Sequence, residues 1–202
     1  FNSETTLQEI WEQFTEEMQP RQRITTQRGY KAAANHILPY FGQTAVSAIT
    51  EQAIIHWQNK MMEKGYSDNY LAKIDTMFRT VYRFGMKRCK LPFDAFHGVK
   101  RIGRQKRRDS FWTYDQYQAF YKVLCENSKS PVAKMAYQLL FYCGLRVGEL
   151  LALTAGDVDL DKRIIHITKS LQRIQQKDVI TPPKTEKGNR DITIPLFLAE
   201  EL

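Results

Sequence analysis

Cysteine is scarce in this sequence. Cys89, Cys125 and Cys143 stand far apart, and no two of them form a C-x-x-C pair. That pattern argues against a disulfide framework and against a zinc site, so no metal centre is expected. It points instead to a reducing cytoplasm. Long apolar runs are lacking too: none approaches the roughly 18 residues that a membrane span needs. No signal-peptide pattern opens the chain, and no membrane association is expected. The chain starts at Phe1 without a methionine and stops inside an expected helix, Leu196-Phe-Leu-Ala-Glu-Glu-Leu202. The expectation is a piece cut at both ends.

Negative charge is in deficit. Thirty Lys and Arg stand against 22 Asp and Glu, which leaves a net charge of +8. Such a balance favours a polyanionic partner. The surplus is uneven. Residues 1–90 hold 12 basic and 9 acidic side chains, residues 91–111 hold 6 and 2, and residues 112–202 hold 12 and 11. A stretch of about a tenth of the chain thus carries half of the net charge, which fits nucleic-acid binding better than a generally solubilising surface. The 202 residues, 43% of them hydrophobic, suffice for one large domain or two small ones with cores of their own.

Apolar spacing predicts four helices in residues 1–90. The first runs over 1–18, with Thr5 or Thr6 as cap and Leu7, Ile10, Trp11, Phe14 and Met18 at helical intervals. The second runs over 25–40 and closes near Pro39 to Gly42. The third starts behind Thr50, with Ile54, Ile55 and Trp57 on its apolar face. The fourth covers 67–86, with Leu71, Ile74, Phe78, Val81 and Tyr82 inward. Four helices with short links make a bundle. Arg21, Arg23, Thr25, Thr26, Gln27 and Arg28 at the start of helix two are candidate DNA-backbone contacts, as are Lys73, Arg79 and Arg83 on helix four. A solvated helix face would carry the same residues.

Residues 91–111 read as a basic interdomain linker lying on DNA. Pro92, Gly98 and Gly103 interrupt any helix there. Lys100, Arg101, Arg104, Lys106, Arg107 and Arg108 fill six of the nine positions from 100 to 108. Phosphate contacts from such a run give salt-sensitive, sequence-independent affinity. Helices return over 112–153, the first capped by Thr113. Three β-branched runs follow, at 163–168, 177–180 and 191–194, and predict a three-stranded antiparallel sheet. The expected fold is mainly α, a four-helix bundle followed by a small α+β part.

The most telling stretch is Tyr137-Gln-Leu-Leu-Phe-Tyr-Cys-Gly-Leu-Arg-Val-Gly-Glu-Leu-Leu-Ala-Leu153. An apolar run stops at Gly144, which can take the left-handed conformation that closes a helix. Arg146 then falls in the first turn of the next helix, where open N–H groups and the positive dipole end favour an anion. A guanidinium fork placed there suits a phosphate. Glu149, three residues on, shares its helix face and can hold it in one rotamer. An ordinary surface Arg–Glu pair would have the same spacing.

The run Gly144-Leu-Arg-Val-Gly-Glu-Leu-Leu-Ala-Leu-Thr154, followed by Asp157-Val-Asp-Leu-Asp161, resembles the first motif box of the tyrosine recombinases, in the branch of phage and conjugative-transposon integrases. Thr25-Thr-x-Arg-Gly-Tyr30, Ile37-Leu-Pro-Tyr-Phe-Gly42 and Ile49-Thr50 likewise resemble the core-binding, SAM-like domain that precedes the catalytic domain in these integrases. The resemblance implies a core-binding DNA-binding domain over 1–90, the basic linker over 91–111, and the N-terminal part of a catalytic domain over 112–202.

It also implies an enzyme, a site-specific recombinase that cuts and rejoins DNA during integration of a mobile element. Arg146 would be a catalytic arginine on the scissile phosphate, supported by Glu149 and Gly144. A lysine on the turn between the last two strands would protonate the leaving 5′-oxygen. Lys184 is the first choice and Lys187 the alternative. Arg190 would be a DNA-backbone contact or a hairpin salt bridge.

The residue types suit the chemistry. Fixed cations stabilise charge on the non-bridging oxygens. A tyrosine nucleophile stores the bond energy as a 3′-phosphotyrosine, so no cofactor or metal is required. A lysine acid assists departure of the sugar oxygen. The family's His-x-x-Arg box, a later His or Trp, and the tyrosine itself have no match among the 202 residues. His36, His56, His97 and His166 lack the context, and Tyr114, Tyr117, Tyr121, Tyr137 and Tyr142 read as helix-face or core aromatics. The chain is therefore expected to bind double-stranded DNA as a monomer without cleaving it. The full-length parent, bacterial or phage-encoded, is expected to act as a homotetramer in the cytoplasm, associated with the nucleoid. The alternative is a non-catalytic, sequence-specific DNA-binding protein sharing the helical domain.

Overall fold

Thr6 decides where the first helix begins. Its hydroxyl accepts from the Glu9 backbone N–H at 3.3 Å, and the Glu9 carboxylate accepts from the Thr6 N–H at 2.7 Å. This reciprocal cap satisfies two of the donors that a helix start leaves open. Helix α1 accordingly spans Leu7–Met18 rather than 1–18, and it buries Leu7, Ile10, Trp11 and Phe14. The computed structural model of the chain describes residue 2 and residues 4–104, 110–174, 176–183 and 186–202.

Three more helices follow close to expectation: α2 over Ile24–Phe41, α3 over Glu51–Glu63 behind the Thr50 cap, and α4 over Asp68–Arg88 behind the Ser67 cap. Pro39 lies inside the last turn of α2, and the helix ends two residues later. The four helices close around Phe78, which is fully buried. Its ring stands 5.1 Å from Phe41, 5.1 Å from Trp57 and 5.0 Å from Phe96.

Phe96 comes from the stretch expected as a linker. Phe96, Val99 and Ile102 are all buried in the bundle core. Their spacing of three lets the chain turn an apolar edge inward while Lys100 and Arg101 stay exposed. The expected linker over 91–111 is thus partly a fifth packing segment of the bundle. Gly103 ends that segment with φ +70, and a Cβ there would clash with the Asp68 carbonyl oxygen.

The chain divides into two units, Phe1–Asp109 and Ser110–Leu202. In the second unit, α5 spans Tyr114–Asn127 behind a Thr113–Gln116 capping box, α6 spans Pro131–Tyr142, α7 is the single turn Val147–Leu150, and α8 spans Leu196–Glu201. A three-stranded antiparallel sheet has the order β1-β2-β5, with β1 at Val158–Asp159, β2 at Ile164–Ile167 and β5 at Arg190–Thr193. Ile165 pairs with Ile192, and His166 with Asp191. Ile165, Ile167, Ile194, Leu198, Leu139 and Leu145 form the core. Among the described residues, no helix is long and apolar enough to cross a membrane.

The membership of that sheet corrects the expectation. Residues 177–180 do not join it. They belong to β4, Lys177–Thr181, which pairs with β3, Ser170–Ile174, in a separate two-stranded ribbon. The third place in the sheet goes to Val158–Asp159. β3 reads Ser-Leu-Gln-Arg-Ile, with only one β-branched residue, so strand composition did not reveal it.

Two glycines separate backbone strain from steric clash. Gly144 has φ +60 with nothing within 4 Å of an added Cβ, whereas Gly103 combines positive φ with a backbone clash. Gly144→Ala should cost about 1 kcal/mol, the ordinary left-handed penalty. Gly103→Ala should cost roughly 3 kcal/mol, because backbone must also move. Chemical denaturation of the two variants tests this; equal losses would contradict the close approach at Gly103.

Candidate functional site

Arg146 is placed by the helix break before it. α6 ends at its cap residue Cys143, Gly144 turns the chain, and Leu145 drops into the core. Arg146 is then the N-cap of α7 with extended backbone. Its own N–H donates to Glu149 Oε2 at 2.9 Å, and its Nη1 donates to Glu149 Oε1 at 2.7 Å. The expected i,i+3 pair is therefore formed, with Arg146 at the cap rather than inside the first turn. The pair is asymmetric in exposure. The Glu149 side chain is 6% exposed and that of Arg146 is 76% exposed. The carboxylate anchors one edge of the guanidinium while the rest faces solvent.

A second arginine reaches the same carboxylate. Arg190, at the start of β5, donates from Nη1 to Glu149 Oε1 at 3.0 Å and from Nη2 to Oε2 at 2.7 Å. Both carboxylate oxygens are thus engaged by a guanidinium fork, the strong bidentate geometry. Arg190 was expected on DNA or in a hairpin salt bridge. Its fork is instead spent across the domain, 41 positions from its partner. The Arg190 hydrogen bonds, followed by those from Arg146, hold the Glu149 carboxyl down to about 2, against the opposing pull of burial. Three residues past α7, Leu153 ends the apolar frame. There Asp157 caps the turn at Thr154 and takes Lys169 Nζ at 2.7 Å, which with the Thr154 hydroxyl brings its carboxyl to about 2.

Of the two candidate lysines, Lys184 lies outside the described residues. Lys187 is exposed on the short turn Glu186–Gly188, three positions before Arg190.

In the first unit the nominated cations divide. Arg21, Thr25, Thr26, Arg28, Lys73, Arg83, Lys100, Arg101 and Arg104 are exposed, and Arg23 is half-buried. Lys106, Arg107 and Arg108 lie outside the described residues. Lys73 lies over Gly29, where an added Cβ would stand 3.3 Å from its Nζ, and Arg101 Nη1 donates to Thr76 Oγ1 at 3.1 Å. The outer edge where α4 meets α2 therefore presents cations from two segments. Arg83 Nε pairs with Asp94 at 2.8 Å. Gln27 spends its amide on the carbonyls of Gln19 and Gln22, which fixes the turn carrying Arg21.

Arg79 does not belong to that surface. It is 5% exposed, and its Nε donates to Asp75 Oδ2 at 2.8 Å. Its Nη groups donate to the carbonyls of Phe96, Val99 and Lys100 at 3.3, 3.0 and 3.2 Å. Gln58 completes the network by donating to Asp75 Oδ1 and the Lys100 carbonyl. Arg79 thus fastens the 96–100 segment to α4 and so places the exposed Lys100 and Arg101. The signal was in the sequence: Asp75 and Arg79 sit four apart, each next to a core residue, Ile74 and Phe78. For Arg190 no local signal existed, because its partner is far away in sequence.

Two outcomes follow. The Glu149 carboxyl lies near 2 when folded against an ordinary value of 4.5, so its contribution is present above 4.5 and fades as pH falls toward 2. Melting of the second unit should decline over that window, and Glu149→Gln should flatten the decline while costing about 2 kcal/mol at neutral pH. An unchanged profile in that variant would contradict the assignment. Arg79→Met leaves Asp75 buried without its cation and should destabilise the first unit by about 3 kcal/mol in urea titrations.

Comparison with known proteins agrees with this geometry. The model of the phage integrase N-terminal SAM-like domain matches residues 6–62, and that of the phage integrase family matches residues 110–201. The ICEBs1 integrase of Bacillus subtilis is 27% identical over 159 residues, which cover 79% of this chain and 43% of that protein. Prophage integrase IntR of Escherichia coli K12 is 29% identical over 168 residues, covering 75% of this chain and 38% of its own length. The chain thus spans less than half the length of these relatives. Among solved structures, the Tn1549 transposon integrase in complex with transposon right end DNA matches with a TM-score of 0.82 at 18% identity, over 98% of this chain and 63% of that one. A lambda integrase dimer bound to a COC′ core site matches with a TM-score of 0.67 at 18% identity, over 90% and 49%. With both family models in sequence order and Arg146–Glu149 at the helix break, the chain belongs to the phage integrase family of tyrosine recombinases.

Proposed function

We propose that this chain is the DNA-binding and phosphate-gripping part of a site-specific recombinase that cuts and rejoins double-stranded DNA through a 3′-phosphotyrosine. One observation carries the reading. The Arg146 guanidinium is anchored along one edge by a buried carboxylate and open on the other. A cation held in one orientation beforehand stabilises a phosphorane-like transition state without reorganising at the moment of reaction. A surface arginine without that anchor would lose side-chain freedom on binding.

Residues 1–90 serve as the core-binding domain, residues 91–111 as the basic connection, and residues 112–202 as the first part of the catalytic domain. The exposed cations of the first unit, Arg21, Arg28, Lys73, Lys100, Arg101 and Arg104, take DNA phosphates, and Thr25 and Thr26 add hydroxyl donors. Lys184 or Lys187 supplies the proton for the leaving oxygen. The tyrosine nucleophile and the His-x-x-Arg box lie in a part of the parent protein beyond residue 202. The greater length of the relatives supports that placement. The parent works as a homotetramer in the cytoplasm, on the nucleoid, with no metal or cofactor in the chemistry. The chain by itself is a monomer that binds DNA and leaves it uncut.

DNA affinity of the chain should fall by roughly 10²–10⁴-fold between about 50 and 200 mM salt, because phosphate contacts release counterions. A flat salt response would remove the DNA-binding reading. In the full-length parent, Arg146→Ala should lower covalent protein–DNA adduct formation on a nicked attachment-site duplex by about 10²-fold or more. Undiminished adducts in that variant would reject the role given to Arg146.

A further inference from the structure

We propose that Arg190 is a positioning residue that neutralises Glu149, so that Arg146 meets the DNA phosphate with its positive charge uncancelled. The inference rests on the reading of Arg146 given above. It begins with charge. Arg146 Nη1 stands 2.7 Å from Glu149 Oε1, and the carboxylate is almost wholly buried. With that pair alone, anchor and cation sum to zero, and a phosphate approaching Arg146 would be repelled by the acid behind it. Arg190 brings the group of three to a net charge of +1.

Exposure decides where that charge appears. The Arg190 side chain is 30% exposed and that of Arg146 is 76% exposed, so the surplus faces outward on Arg146. Hydrogen-bond geometry divides the labour in the same way. Arg190 spends both terminal nitrogens on the two carboxylate oxygens, whereas Arg146 spends one terminal nitrogen and its backbone N–H. Arg190 carries most of the neutralisation, and Arg146 is merely oriented. Arg190 Nη1 also donates to the Gly188 carbonyl at 3.4 Å. The same side chain therefore fixes the end of the loop that holds Lys187, tying two elements of the site to one carboxylate.

A residue serving only the fold would behave differently from one that sets charge. If Arg190 merely stabilises, removing Glu149 as well worsens the damage. If it cancels Glu149, removing the acid repairs the chemistry. The test uses the full-length parent with a nicked attachment-site duplex, measuring the rate of covalent adduct formation at saturating DNA and the affinity separately. Arg190→Gln keeps shape and a donor but loses the charge. It should slow adduct formation by about 10- to 100-fold with affinity changed by less than about threefold. Arg190→Lys should stay within about fivefold of the parent, since the charge remains. The double variant Glu149→Gln with Arg190→Gln should cleave about tenfold faster than Arg190→Gln alone.

Near-ultraviolet circular dichroism on each variant separates misfolding from lost chemistry. Should Arg190→Gln prove unfolded, Arg190→Lys and the double variant still decide. The inference is overturned if a folded Arg190→Gln cleaves at the parental rate, or if the double variant is no faster than the single. Arg146→Ala distinguishes the levels. If it cleaves normally, the reading of Arg146 is lost; if it is dead while Arg190→Gln is unaffected, only the inference about Arg190 fails.

Discussion

A single buried carboxylate organises the second unit. Glu149 is removed from water and held by four hydrogen bonds from two arginines. Removing a charge from water costs several kcal/mol, and such pairs seldom add net stability over an apolar core. What they provide here is orientation. One arginine is held at the end of a helix break and the other at the start of a strand, and both are referred to the same two oxygen atoms. The short helix α7 and the start of strand β5 are tied together by that contact.

The first unit uses the same device for another end. Asp75 and Arg79 form a pair with side chains 1% and 6% exposed, and Arg79 turns its remaining donors on three backbone carbonyls. Carbonyls in an irregular segment need partners once buried. The guanidinium supplies them, and Phe96 seals the contact with its ring 4.5 Å from the guanidinium carbon. A segment without regular secondary structure thereby becomes rigid, with Lys100 and Arg101 directed outward. In both units, then, one arginine, buried in the first and half-buried in the second, spends its donors inward while a cation near it in space stays exposed.

This division bears on how cations are read for DNA binding. A count of Lys and Arg treats Arg79 and Arg101 alike. Burial separates them: Arg101 is available to a phosphate, and Arg79 decides where Arg101 stands. Net charge remains a sound guide to the kind of partner. The residues with donors left to offer such a partner are a smaller set, because some guanidinium groups already have their donors occupied.

Much was legible in the residues themselves. The four helices of the bundle, the Thr6, Thr50 and Thr113 caps, the break at Gly144 and the Arg146–Glu149 pair all depend on residues within four positions of one another. Local backbone geometry governs such features. The pairing of β2 with β5, the burial of Arg79 against the segment of Phe96, Val99 and Ile102, and the arrival of Arg190 at Glu149 depend on groups about 17 to 41 positions apart. Those outcomes follow from register and from competition for buried area, which local pattern does not encode. The sequence by itself determined that a guanidinium would stand at a helix start beside a carboxylate. Only tertiary packing decided that a second guanidinium would neutralise that carboxylate, because the donor arrives on a strand brought close by the folding of the sheet.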